Sequence, residues 1–237
     1  MNNKLQPTLF RDGKPYRPSS PWLVLVLSAT ILITTIYLSV LSVEQRSHII
    51  LHWGMLPAQL NTLLNTGWKN FLDQMFLTPF SALFLHAGWL HTLGNLAYLW
   101  AFGLSIERAA GHTVLALIFL IAGGLSNILL SLQLPMLQSP VIGASGGVSA
   151  IIGSYLCLFP RRSMGLYLPL GLYLQFARLP ALLVIGSWFL LQVIYTVQGS
   201  FTGDVIWRVH VVGFVAGIAA GLLVRLFKPE VVRNYQP

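Results

Sequence analysis

Long apolar runs, each closed by charged residues or proline, set the pattern of this 237-residue sequence. A helix needs about 20 apolar residues to cross the hydrocarbon of a bilayer, and runs of this kind recur through the chain. We predict spans at residues 22–43, 81–106, 113–132, 145–159, 181–197 and 205–227. The pattern therefore predicts an all-α fold, a polytopic membrane protein built as a bundle of six transmembrane helices.

The segments outside these runs are more polar. Residues 1–21 are rich in Pro, Asn and basic residues, as expected for a disordered tail, and residues 229–237 form a second tail. Between the first two runs, residues 44–78 mix charged groups with Trp53 and Trp68, which is typical of a segment lying in the membrane interface. We expect a single domain at residues 22–228 between two tails.

Composition agrees with membrane residence. Hydrophobic residues make up 55% of the chain and charged residues only 8%, about a third of the charged fraction usual in soluble domains. The net charge is +8, but the cations are dispersed and flank apolar runs, so we expect no nucleic-acid partner. The single cysteine, Cys157, excludes an internal disulfide.

The basic residues predict the orientation of the chain. Six spans place both termini on one side, and eleven of the 14 Lys and Arg residues share that side. Only Arg46, Lys69 and Arg208 lie opposite. By the positive-inside rule, both termini are predicted to be cytoplasmic.

Four polar residues stand inside the apolar runs: His91 and Asn95 in the second, Ser145 in the fourth and His210 in the sixth. Such side chains are costly in hydrocarbon unless they are paired or line a wet cavity, so they are functional candidates. The three runs begin on the same, extracytoplasmic side. We therefore expect the four residues to share a cavity in the outer part of the bilayer.

Ser145 lies in a glycine-dense turn, with Gly143 and Gly146 on either side, at the start of a helical run. Glycines allow a sharp turn, and a helix N-terminus favours an anion, which suits an oxyanion beside the serine. The letters also fit the G-x-S-x-G elbow of α/β hydrolases, but that motif needs a preceding strand. Ser145 could equally be a small residue that permits close helix packing.

His210 precedes Gly213, Gly217 and Gly221, which are spaced by four like Gly146, Ala150 and Ser154 of the fourth run. Such small faces let two helices approach closely, which would bring His210 near Ser145. A structural histidine bonded to a carbonyl is the alternative. Asp204 is six residues before His210, on a different face and in the predicted loop, and Glu107 lies at the cytoplasmic end of the second span, roughly 20 Å from Asn95. Neither can orient the imidazole, so a serine enzyme here would use a Ser–His dyad.

Metal binding is the other chemistry that histidines suggest. His86 and His91 are five residues apart and do not share a helix face, and no carboxylate joins them or His210. We assign no role to His48, His52 and His112, which fall in loop or interface positions. We expect no metal and no cofactor.

These motifs resemble the rhomboid family. Residues 77–111 are similar to its second helix, with His91-x-x-x-Asn95, and Phe102-Gly103 and Glu107-Arg108 also fit. Gly143-x-Ser145-Gly146 resembles the G-x-S-G nucleophile motif, and His210-x-x-Gly213-x-x-x-Gly217 the base motif of the last helix. The resemblance covers residues 68–227 and is to the six-span bacterial form.

The resemblance implies an intramembrane serine endopeptidase of a bacterial inner membrane that cuts single-pass transmembrane proteins. Ser145 would be the nucleophile and His210 the base, while His91, Asn95 and the N–H groups of Ser145 and Ala144 would stabilise the oxyanion. A rhomboid-like protein without activity, or a transporter, would be the rivals. Retention of Ser145 and His210 argues against the first, and the absence of matching halves against the second.

The sequence departs from the usual family pattern at two places. Ser149 stands where many relatives carry an aromatic residue that packs on the catalytic histidine. Val209 and Val212 flank His210 where smaller residues are common. These departures concern the positioning of the imidazole.

Overall fold

The computed structural model describes residues 10–11, 14–15, 20–66, 76–170, 173–197 and 201–233. Twelve α-helices lie in these ranges: α1 Trp22–Val40, α2 Val43–Trp53, α3 Pro57–Thr66, α4 Thr78–Ser81, α5 Trp89–Tyr98, α6 Leu104–Ala110, α7 His112–Leu117, α8 Gly123–Gln133, α9 Ser145–Leu158, α10 Ala181–Val197, α11 Phe201–Phe227 and α12 Pro229–Arg233. Two π-helical segments, Leu99–Gly103 and Ile118–Ala122, join α5 to α6 and α7 to α8. Trp68, Lys69, Phe71 and Asp73 fall outside the described residues.

Three helices in the described part of the chain are long and apolar enough to cross a bilayer: Trp22–Val40, His112–Gln133 and Trp207–Phe227. They match the first, third and sixth predicted spans. Helix α9 has only 14 residues and is about 21 Å long, shorter than the roughly 30 Å of bilayer hydrocarbon. If the C-terminal end of α9 lies at one membrane surface, Ser145 at its N-terminal end lies inside the bilayer and does not reach the other surface.

Two of the predicted starts are wrong by several residues. The second run becomes helical at Trp89 instead of Ser81, because α4 and a 3-10 turn at Ala82–Phe84 are followed by extended backbone at Leu85 and Gly88. The last helix begins at Phe201, four residues before the predicted start, so Asp204 belongs to the helix and not to a loop. His91 and Asn95 therefore lie in the first two turns of α5.

The fold is mostly helical, but a β-hairpin corrects the all-α prediction. Strand β3 (Ser163–Leu170) pairs antiparallel with β4 (Tyr173–Pro180) between α9 and α10. A two-residue pair, β1 (Phe10–Arg11) with β2 (Lys14–Pro15), lies in the N-terminal segment. Apolar residues alternate in β3, from Met164 to Leu170, the period of a strand.

Contacts define two ends of the bundle. At the first end, Glu107 accepts hydrogen bonds from the N–H groups of Leu23 (2.7 Å) and Val24 (2.9 Å), which caps the start of α1. The Lys228 ammonium donates to the Ala110 carbonyl at the same end (3.3 Å). At the other end, near the C-terminus of α1, the Thr35 hydroxyl lies 3.0 Å from that of Thr92. Helix α5, the π-helical segment Leu99–Gly103 and α6 form one continuous helical segment, the α5–α6 rod. Helix α1 is therefore antiparallel to this rod.

Helix α9 lies at the centre of the main core. Tyr155 packs edge-on against Phe102 of the α5–α6 rod (ring centroids 5.0 Å) and against Phe159 (5.1 Å). Most of α9 is buried on all sides, from Gly146 to Tyr155. Helix α12 also reaches this core through Val231 and Val232, so residues 229–233 are packed against the bundle.

Candidate active site

Helices α9 and α11 make the closest approach that bears on the site. A Cβ on Gly213 would collide with the carbonyl oxygen of Gly146, and one on Gly217 would collide with that of Ala150. Further along, Gly221 faces Ser154, and the Ser154 hydroxyl donates to the Gly217 carbonyl (2.7 Å). The predicted pairing of the two small-residue faces is confirmed.

This pairing aligns Ser145 with His210. The contacts advance in the same direction along both helices, so α9 and α11 run parallel. Ser145 is one residue before Gly146, and His210 is three residues before Gly213. At 1.5 Å per residue the two residues differ in height by about 3 Å along the helix axes. Both side chains therefore belong to the same layer of the bundle.

Helix α5 enters the same layer through His91. Gly143 has a φ of +121°, and a Cβ there would lie 2.6 Å from Cε1 and 2.8 Å from Nε2 of the His91 ring. Glycine is needed here for both the left-handed backbone and the space. The Gly143 N–H donates to the Ala82 carbonyl (2.9 Å), which anchors the turn before Ser145.

His86 has a place in the site that the sequence did not indicate. Its ring is almost fully buried (1% exposed), and Nε2 accepts a hydrogen bond from the Ala144 N–H (3.3 Å). Because Nε2 accepts, Nδ1 carries the proton and donates to the Phe84 carbonyl (3.3 Å). His86 also packs against the His91 ring (centroids 5.1 Å). It therefore links the turn before Ser145 to the segment before α5.

The N–H groups that could donate to an oxyanion beside Ser145 differ in whether they already donate a hydrogen bond within the protein. The Asn95 amide nitrogen donates to the His91 carbonyl (3.0 Å) and has a second N–H. The Ala144 N–H, expected to face an oxyanion, is engaged by His86 in this structure. Ser145 is the first residue of α9, and the first N–H groups of a helix have no intrahelical acceptor. Ser145 and His91 are only half-buried.

An aromatic residue does pack on His210, but it comes from α10. The His210 ring is buried (6% exposed), and the Trp188 ring lies against it with centroids 5.4 Å apart. Ser149 is fully buried, and its hydroxyl donates to the Ser145 carbonyl (2.6 Å). Its Cβ lies 3.1 Å from the position that a Gly213 Cβ would take, so the close approach of α11 at this point depends on Gly213. Trp188 supplies the packing that position 149 lacks.

Carboxylates lie elsewhere among the described side chains. Glu107 is buried at the opposite end of the α5–α6 rod, where it caps α1, and the Asp204 side chain is outside the described part. No group of three or more His, Cys, Asp or Glu residues in the described ranges could hold a metal ion. Both ring nitrogens of His86 are engaged by backbone groups. His86 therefore has no ring nitrogen left for a metal ion in this structure.

The family model of the rhomboid domain matches residues 73–227 of the chain. The match covers well over half of the sequence and includes His91, Asn95, Ser145 and His210. The chain belongs to the rhomboid family. Rhomboids are intramembrane serine proteases, and this rhomboid chain is a multi-pass membrane protein. A search of curated proteins found no match to the sequence.

Proposed function

We propose that this rhomboid chain is an intramembrane serine endopeptidase in which Ser145 is the nucleophile and His210 the general base. The observation that carries the proposal is the parallel pairing of α9 and α11, because Gly213 against Gly146 brings the two side chains to one height. The partial positive charge at the N-terminus of α9 also favours the negative charge that develops on the oxyanion.

The reaction would proceed in two halves. His210 takes the proton of the Ser145 hydroxyl as its oxygen attacks the scissile carbonyl carbon, and then gives it to the leaving amine. Water, deprotonated in turn by His210, attacks the acyl carbon, and His210 returns the proton to the Ser145 oxygen as its bond to the acyl carbon breaks. Packing against Trp188 would help to hold the imidazole ring in place.

The oxyanion would be stabilised by donors from two elements. His91 and the second N–H of Asn95 come from α5, and the Ser145 N–H comes from the start of α9. The Ala144 N–H could join them only by leaving His86 Nε2. The proposed oxyanion hole therefore has three donors, from His91, Asn95 and Ser145, and Ala144 contributes through the shape of the turn.

The substrates would be single-pass transmembrane proteins cut near the outer boundary of the bilayer. The short α9 supports this location, because its N-terminus need not reach the membrane surface. A segment that unwinds easily would expose its peptide bonds to Ser145, which is half-exposed. We also propose the six-span topology with cytoplasmic termini, in a bacterial inner membrane.

The first prediction concerns the dyad. Ser145→Ala and His210→Ala should each reduce cleavage of a transmembrane reporter by more than about 10³-fold, because the nucleophile and the base cannot act without each other. The purified variants are assayed in liposomes, and their thermal unfolding is compared with wild type. A fluorophosphonate probe should label wild type and fail to label Ser145→Ala. Ser187→Ala, on the exposed surface of α10, is the matched control and should cleave normally. Undiminished cleavage by either dyad variant would contradict the proposal.

A further inference from the structure

Two histidines that belong to no motif of the candidate active site lie on one exposed helix. His48 and His52 are four residues apart in α2, which is 11 residues long and has no buried residue. Residues spaced by four stand on the same helix face. Their rings are parallel within 6°, with centroids 6.5 Å apart.

The helix that carries the pair is well defined. The Ser42 hydroxyl accepts from the Gln45 N–H (3.3 Å), and the Ser42 N–H donates to the Gln45 side chain (3.2 Å), which forms a capping box. At the other end, the Gly54 N–H donates to the Ile50 carbonyl (2.9 Å). The spacing of the two imidazoles is therefore set by regular helix geometry.

Local charge favours a cation at this face. Glu44 lies one turn before His48, on the side of the two histidines, and is exposed. Arg46 points elsewhere, because its guanidinium donates to the Ala87 carbonyl. A carboxylate one helical turn before the pair, with the nearby guanidinium turned away, makes this face more favourable for a cation than for an anion. Glu44 supplies charge and is not counted as a ligand, since no three described His, Cys, Asp or Glu residues form a metal-holding group.

We propose that His48 and His52 together bind one divalent transition-metal ion, Cu²⁺ or Zn²⁺, with water completing the coordination. A metal–nitrogen distance of about 2.0–2.1 Å requires the two rings to tilt toward each other. Both side chains are exposed, and the Trp53 ring that contacts His52 (ring centroids 5.1 Å) is also exposed. Imidazole suits both ions, and copper is expected to bind more tightly than zinc. The site is independent of the proposed proteolysis.

The site lies beside the loop that leads to Ser145. Helix α2 continues into Met55, whose N–H and carbonyl pair with Val141 (3.1 and 2.8 Å), two residues before Gly143. The Ser81 hydroxyl donates to the Trp53 carbonyl (2.7 Å), which ties the end of α2 to α4. A bound ion would brace the last two turns of α2 where they join these segments.

The test uses the full chain, purified in detergent with a non-histidine affinity tag. Cu²⁺ is titrated and followed by electron paramagnetic resonance, and Zn²⁺ by calorimetry. Wild type should bind one ion, and the copper spectrum should show nitrogen coordination. His48→Gln and His52→Gln should each weaken binding at least about tenfold, since even the loss of an outer-shell partner costs 10- to 100-fold.

Two further variants sharpen the test. His112→Gln, a histidine at the opposite end of the bundle beside Glu107, should bind like wild type. Glu44→His combined with His52→Gln recreates a pair spaced by four and should restore binding that His52→Gln alone lacks. Equal binding by all variants, loss in only one of the two histidine variants, or no saturable binding by wild type would each overturn the proposal.

Discussion

At the scale of single residues, this rhomboid has residues proposed to take part in the reaction and residues that position them. Ser145 and His210 are assigned to the first by proposal, and His86 and Trp188 belong to the second by their contacts. The holding residues matter because a nucleophile and base without an assigned carboxylate depend on packing and backbone hydrogen bonds for their geometry.

The second prediction concerns His86. His86→Phe keeps the size of the ring but removes the acceptor of the buried Ala144 N–H, which costs about 1–3 kcal/mol and should loosen the turn before Ser145. We expect a lower melting temperature and a lower kcat with little change in KM. His86→Gln can return an acceptor near the position of Nε2 and should recover part of both. Equal behaviour of the two variants would contradict this assignment.

The third prediction concerns Trp188. Trp188→Ala removes a buried ring (5% exposed) from the face of His210 and should destabilise the fold by about 3–5 kcal/mol. Trp188→Phe retains an aromatic face and should keep more kcat per folded molecule. Trp100→Phe is the control, because its indole N–H donates to Ser28 (2.9 Å), away from His210. Activity and thermal unfolding of the three variants are compared.

At the scale of elements, the pairing of α9 with α11 decides the site. In a bilayer, helices associate through close packing of small residues, because lipid tails are as apolar as the side chains. Here the glycines of α11 let its backbone touch the carbonyls of α9. Any side chain added at these glycines must push the two helices apart and separate Ser145 from His210.

The fourth prediction follows from this contact. Gly217→Ala places a Cβ against the Ala150 backbone and should cost about 1–3 kcal/mol or more and reduce cleavage. Gly186→Ala is the matched control, because a Cβ at Gly186 in α10 meets nothing within 4 Å. It should leave cleavage unchanged and either not alter stability or raise it by up to about 1 kcal/mol, because alanine favours a helix more than glycine does. Unfolding in detergent measures both, and equal losses would contradict the role given to the contact.

At the scale of the whole molecule, the two ends of the bundle differ in chemistry. The end with His91 and Met55 carries the site, while the other has Glu107 buried at the start of α1 and Lys228 on the Ala110 carbonyl. The Arg225 guanidinium also donates to the Cys157 carbonyl there (3.1 Å). These cations lie at the end that the positive-inside rule assigns to the cytoplasm.

The fifth prediction tests this orientation. The chain has one cysteine, Cys157, so Cys157→Ser provides a background for single-cysteine labelling. Gln138→Cys, in the exposed loop before Ser145, should react with a membrane-impermeant maleimide in intact spheroplasts. Ser20→Cys, exposed just before α1, should react only in inverted vesicles. The reverse labelling pattern would show that the proposed orientation is wrong.

The sequence by itself determined the main features, because they depend on local composition and spacing. Apolar runs predicted α1, the rod of α7 and α8, and α11, and the four-residue spacing of Gly213 and Gly217 predicted the contact with α9. The hairpin of β3 and β4 was not predicted, because its strands lie between two apolar helices, α9 and α10, and continue the same apolar pattern. The true start of α5 at Trp89 depends on extended backbone at Gly88 that hydropathy does not register.

Only the tertiary structure decided which groups meet across the chain. That His86 accepts from Ala144, 58 residues away, and that Trp188 packs on His210 follow from how α5, α9 and α10 are assembled. Neither contact has a periodicity or a motif, because hydrogen bonds and ring packing between distant segments depend on distances that one-dimensional patterns do not contain. Hydropathy and residue spacing thus predicted the helices, whereas the contacts between distant residues depend on tertiary packing.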